Sequence, residues 1–192
     1  MQEDEVQSLP LVPPDQQIEL LGSPNRAVAY QAAVALTQQG SAILDAAVQG
    51  LLHANPKVRR ACADLMDHLG DDRCIEPLIE ATTDTIPNVR RQAIHSLSCQ
   101  RCKAVPLHVD LVTLLIERAT TDPSIKVRQE AVFGLSMQPT DRRAIGVLEQ
   151  IIADARQKKV QTKAERVLYR NARFALKRQL TDAQRVTPCP TD

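Results

Sequence analysis

A recurrence of thirty-odd residues constrains this chain more than any other feature of it. Setting Val28, Val58, Val89, Val127 and Val160 in register places Ala32, Cys62, Ala93, Ala131 and Ala164 four positions on, and Leu36, Met66, Leu97, Leu135 and Leu168 eight positions on. Offsets of four and eight return to one face of an α-helix, so each unit holds a helix with a small and then a large residue on its buried stripe. The units are separated by 30, 31, 38 and 33 residues, room for a second helix and two turns each time.

That second set is predicted over residues 42–53, 73–82, 107–120 and 142–155. Ile75, Leu78 and Ile79 mark the apolar stripe of one, and Ile145, Leu148, Ile151 and Ile152 that of another. Asp72 and Asp141 are placed as N-caps, and Pro77 and Pro106 fall early in their helices, where a missing N–H costs least. A short helix is expected over residues 16–21, capped by Asp15 and ended by Gly22, with Ile18 and Leu21 covering the first unit. Neither helix of a pair buries its stripe alone, but stacked pairs do. Composition agrees: the 192 residues include 12 prolines, 6 glycines, no Trp and only four aromatics, so the apolar mass is aliphatic and suited to close helix stacking.

The pattern Asp-x4-Val-Arg-x2-Ala-x3-Leu, present at Asp84–Val89–Arg90–Ala93–Leu97 and Asp122–Val127–Arg128–Ala131–Leu135, resembles HEAT repeats, especially the short bacterial kind also found in phycobilin lyases. The resemblance spans roughly residues 15–180. It implies an all-α, right-handed α-solenoid of about four helix pairs with helical caps. Residues 1–14, polar and broken by Pro10, Pro13 and Pro14, are read as a disordered arm and 181–192 as a flexible tail. The period is shorter than the ~40–47 residues of longer HEAT units. The fifth unit lacks the arginine and a clear second helix, and the latter suggests a cap made from one long helix over residues 158–180.

Arg59, Arg90 and Arg128 lie in the first turn of their helices, where the helix dipole disfavours a cation. Asp84 and Asp122 stand six residues before Arg90 and Arg128, so each carboxylate is expected to bridge the turn to the arginine of its own unit. His53 takes that place before Arg59 and predicts a weaker rung. Positions two, six and nine beyond the register valine point away from the buried stripe, and in HEAT-like arrays this helix lines the concave surface. The expected concave stripe is Tyr30, Val34 and Thr37, then Arg60, Asp64 and Asp67, Arg91, His95 and Ser98, Gln129, Phe133 and Ser136, and finally Thr162, Arg166 and Tyr169. Aromatic and Arg anchors on such a stripe suit protein or peptide recognition; packing against a neighbouring helix is the alternative use of the same aromatics.

His95-x3-Cys99-x2-Cys102-x5-His108 lies where one helix ends and the longest connection begins. Its four donors suit tetrahedral zinc; a redox pair or an ordinary turn uses the same residues, and no other cofactor is implied. The net charge is +1, yet residues 156–185 carry ten basic against two acidic groups, leaving 14 basic against 21 acidic elsewhere. Lys163, Arg166, Arg170, Arg173 and Lys177 on the final helix could hold a polyanion such as nucleic acid, an acidic protein partner or the acidic body of a second copy. No His-Glu pair, glycine-rich phosphate loop or nucleophile motif supports catalysis, so the chain reads as a non-enzymatic scaffold. Nucleic-acid binding and a lyase-like or other HEAT-enzyme subunit completed by a partner stand as alternatives. Five cysteines at unrelated spacings, no secretory apolar region and no run approaching a membrane span fit a cytoplasmic protein.

Overall fold

The computed structural model describes residues 13–103, 105, 107–158 and 161–185. Most of the expected arm, most of the expected tail, Pro106 and the register residue Val160 lie outside them. Among the described residues the regular structure is helical throughout. In chain order the helices are α1 (Pro14–Leu20), α2 (Arg26–Gln38), α3 (Leu44–Gly50), α4 (Pro56–Asp67), α5 (Ile75–Ala81), α6 (Pro87–Ser98), α7 (Val112–Thr121), α8 (Ile125–Leu135), α9 (Arg142–Gln157) and α10 (Lys163–Arg185). Single 3-10 turns, Gly40–Ile43 and Asp72–Cys74, lead into α3 and α5.

Local chemistry sets the boundaries. Asn25 and Asn55 cap α2 and α4 by accepting from the backbone N–H two residues on, and Asp141 caps α9 in the same way, as expected. Pro14, Pro56 and Pro87 occupy first helical positions. Two expected caps differ. Pro13, not Asp15, precedes α1, and Asp71 rather than Asp72 accepts from Arg73 N–H. Gly70, which follows α4, has φ +58°, and a Cβ there would meet the Val105 carbonyl at 2.8 Å, so both backbone and space require glycine.

The helices alternate between two layers of an α-solenoid. The even-numbered helices from α4 to α10 stack closely on one another, while the odd-numbered helices pack mainly on their own partners, so the even layer is the tighter one. Val58, Val89 and Val127, with Cys62, Ala93 and Ala131 and with Met66, Leu97 and Leu135, have no exposed surface, as the register predicts. Ala63, Ile94 and Val132, one position further on from the small residues, are equally buried. The terminal elements are fuller than caps: α1 packs on α2 and α3, and α9 with α10 forms a fifth pair.

One face assignment fails. The positions nine beyond the register valine, Asp67, Ser98 and Ser136, are buried rather than solvent-facing. They fall at the helix ends, where adjoining segments fold over them. Lys103 reaches Asp67 from the long connection at 2.8 Å, and Ser98 lies against Gly134 of α8. At the far end, buried Gln179 of α10 donates to the carbonyls of Leu135 (2.8 Å), Gln138 (3.1 Å) and Pro139 (3.3 Å) and accepts from Asp141 N–H (2.8 Å). That one amide joins the end of α8 to the start of α9 and α10.

Candidate functional site

Of the expected concave stripe, the N-terminal part comes together. Tyr30, Arg60 and Asp64 line a cleft of about 260 Å³ between α2 and α4, floored by Leu65 and Ala33. Tyr30 is 70% exposed although it is one of four aromatics in the chain. Asp64 accepts from Gln92 Nε2 at 2.8 Å, tying the cleft to α6. Arg91, on α6, is half-buried and does not line the cleft.

The C-terminal part does not form one surface. Gln129 donates to the Ala164 carbonyl at 2.7 Å and so joins α8 to α10. Phe133 stacks on Phe174 of α10, with ring centroids 6.4 Å apart and planes 12° apart. Its packing partner is the neighbouring helix, the alternative left open by the sequence. Tyr169 turns toward Arg156 of α9, which lowers its phenol together with Arg173 of its own helix, and Arg173 sits 5.7 Å from its ring centroid. Arg166 remains exposed.

The arginine ladder exists, but each rung joins consecutive units instead of closing one. Arg59 grips Asp84 with two bonds of 2.6 and 3.0 Å, and Arg90 grips Asp122 with two of 2.7 and 2.8 Å. The expected pairs Asp84–Arg90 and Asp122–Arg128 are therefore replaced. Arg90 meets its own unit only through the carbonyls of Asp84 and Thr85, because six residues back lies the turn's backbone while the next unit's carboxylate is opposite. Arg59, expected to be the weak rung, is fully paired. The odd one out is Arg128: its buried Nε has no partner among the described residues. Ala155, five before the last register position as Asp84 and Asp122 are in their units, lines the same cavity of about 300 Å³ as Arg128.

The thiol cluster is assembled with one substitution. His95, Cys99 and Cys102 converge, with Asp67 rather than His108 as the fourth member; one potential donor atom from each lies within 4.8 Å of the others. His108 is instead 78% exposed and bound to Asp72 at 2.9 Å, because the connection carries it back to the start of α5. His95 Nδ1 lies 2.9 Å from Glu130 and its Nε2 lies 3.5 Å from Asp67. Hydrogen bonding to Asp67, then to Glu130, raises the imidazole to about 10. Burial alone would raise Asp67, but His95 and Lys103 hold it at about 2. Burial would likewise raise Cys99, yet the Cys102 thiol and the N–H groups of Arg101 and Cys102 leave it below an ordinary thiol. Cys62 and Cys74 differ: burial pushes them up to about 12 and about 11, as inert core residues.

The basic residues of α10 divide over two sides. Arg173 and Lys177 line a recess against α9 with Glu149 and Arg156, while Lys163, Arg166 and Arg170 stand exposed at the helix start. Glu165 is held at about 2 by its bond to Lys158, so part of the local positive charge is already paired.

Sequence reasoning missed Lys103 and Glu130 as members of the thiol cluster. Glu130 lies 35 residues from His95, about one unit on, and that spacing is the one signal available. Lys103 carries none beyond adjacency to Cys102.

The HEAT repeats family matches residues 44–136. Among solved structures, the chain is similar to one in the complex of CpcE and CpcF of phycocyanin lyase from Nostoc sp. PCC7120. The two are 22% identical with a TM-score of 0.64, over 83% of this chain and 97% of that one. An engineered protein is 21% identical with a TM-score of 0.48, over 88% of this chain and 80% of that one. No curated protein matches. At 22% identity the likeness to the chain of the CpcE–CpcF complex is one of fold.

Proposed function

We propose that this chain, a HEAT-like repeat protein, is a non-enzymatic scaffold that receives a protein or peptide segment on its even-helix layer, in the cleft between α2 and α4. The observation carrying this reading is Tyr30, a large aromatic left 70% exposed over a cleft that also presents Arg60 and Asp64. Exposed aromatics and arginines are the side chains that dominate protein interfaces when truncated. The fitting partner segment places an apolar side chain on Tyr30 and Leu65 and a carboxylate against Arg60.

Tyr30→Ala with Arg60→Glu tests it. Partner capture by the full chain is expected to fall at least tenfold, about 1.4 kcal/mol or more, with helical circular dichroism and melting unchanged. Undiminished capture would place the interface elsewhere.

A second reading rests on the fold likeness to a chain in a two-protein lyase complex: a lyase-like subunit completed by a partner. An absorption spectrum of the chain co-purified with its partner separates the two, since a chromophore-handling subunit would carry pigment. The polyanion reading has less support, because the basic side chains of α10 are split between two faces and a steep salt dependence needs many phosphate contacts at once.

A further inference from the structure

The geometry points to a zinc site formed by Asp67, His95, Cys99 and Cys102 where the longest connection of the array leaves α6. Three separate segments supply the donors: the end of α4, the last turn of α6 and the connection itself. Two thiols, an imidazole and a carboxylate are a donor set for a borderline cation such as zinc rather than for magnesium or calcium, which take oxygen.

The spacing agrees. Tetrahedral zinc with bonds of about 2.0–2.3 Å separates its ligand atoms by roughly 3.3–3.8 Å. The short end belongs to nitrogen and oxygen ligands and the long end to a pair of sulfurs. His95 Nε2 is 3.5 Å from Asp67 Oδ2. Cys99 Sγ and Cys102 Sγ, 3.3 Å apart, would open by about 0.5 Å, a small side-chain adjustment at exposed Cys102. The surroundings also suit a metal. Glu130 sits 2.9 Å from His95 Nδ1, the carboxylate–histidine arrangement that fixes the ring with Nε2 toward a cation. Lys103, with no side-chain exposure, donates to Asp67 Oδ1 at 2.8 Å and to the Cys99 carbonyl at 2.7 Å. It leaves Asp67 Oδ2 on the inner side and offsets one negative charge of a set that holds two thiolates and a carboxylate. Cys102 is exposed and gives the ion its way in, while Cys99 is buried. The zinc would pin the 99–103 turn to α4 and α6, a fixed point in the one unit whose register spacing reaches 38 residues.

The test uses the tag-free full chain, reduced, incubated with equimolar zinc and desalted, with metal read by elemental analysis. Wild type and His108→Ala are each expected to retain about one zinc per chain. Cys102→Ser, at an exposed position and therefore folded by circular dichroism, is expected to bind at least tenfold more weakly. Cobalt added to wild type should give thiolate charge-transfer absorption, weaker per bound cobalt in Cys102→Ser, which keeps only the Cys99 thiolate. The assignment is overturned if reduced wild type retains no zinc, if Cys102→Ser retains as much as wild type, or if loss of His108 removes the metal.

Discussion

At the scale of single residues, the charged pairs that matter are those between units. Arg90 and Asp122 are nearly sealed from solvent, with side chains 8% and 1% exposed, so Asp122→Ala leaves a buried guanidinium without its carboxylate. The expected loss of stability is about 3 kcal/mol, measured by urea unfolding, against about 0–1 kcal/mol for Asp71→Ala in the exposed pair with Arg73. The same carboxyls fix the acid behaviour. Burial alone would raise Asp84 and Asp122, yet the hydrogen bonds from Arg59 and Arg90 hold both below the ordinary carboxylate range. A depressed carboxyl stabilises the fold above its unfolded value of about 3.9 and loses that contribution as pH falls through the folded value. Melting temperature should therefore drop below about pH 4, and Asp122→Asn should flatten that acid limb while lowering stability at neutral pH. Arg128 offers the converse change. Ala155→Asp supplies the missing partner and should raise stability by about 1 kcal/mol. The sequence named Asp84, Asp122 and Arg90 but paired Arg128 and discounted Arg59, because pairing depends on which unit's carboxylate lies opposite, which spacing along one chain does not encode.

At the scale of elements, the register was legible because burying one stripe of each even-numbered helix demands it. Val, Ala and Leu at offsets of zero, four and eight have few other uses. The ninth position was not legible, because what covers a helix end is set by the next connection and not by the helix. Contacts between even-numbered helices are close enough to discriminate among glycines. A Cβ at Gly134 would lie 2.9 Å from Ser98 Oγ and 3.0 Å from Leu115, whereas nothing lies within 4 Å of one at Gly146. Gly134→Val is therefore expected to cost about 1–3 kcal/mol through overpacking. Gly146→Ala should gain about 0.5–1 kcal/mol, since it only removes glycine's entropy from a helix. Chemical denaturation of the two variants checks both signs. Gln179→Leu belongs at this scale too. It strips partners from the carbonyls that close α8 and should destabilise by about 2 kcal/mol, more than any neighbouring exposed substitution on α10.

At the scale of the molecule, the array has a tight even-numbered layer and a looser odd-numbered one, and its two ends differ. The final pair closes through Gln179 and the Phe133–Phe174 stack, whereas α2 and α4 stand apart and leave the Tyr30 cleft. That asymmetry explains how much of the expected binding stripe survives. Angular position along a helix correctly exposed Tyr30, Arg60 and Asp64, because α2 and α4 pack only sparsely against each other. It misjudged Phe133 and Tyr169, because α10 and α9 close over the other end. The same closeness brought Asp67 to the thiols from 28 residues before His95, a meeting that local spacing could not announce. The central claim, that partner recognition occurs at the α2–α4 cleft, is tested most directly by photo-crosslinking. A photoreactive phenylalanine replaces Tyr30 in one protein and Glu117, an exposed residue of α7, in another. Covalent partner adducts from position 30 and none from position 117 are the predicted result; adducts from position 117 with none from position 30 would contradict it.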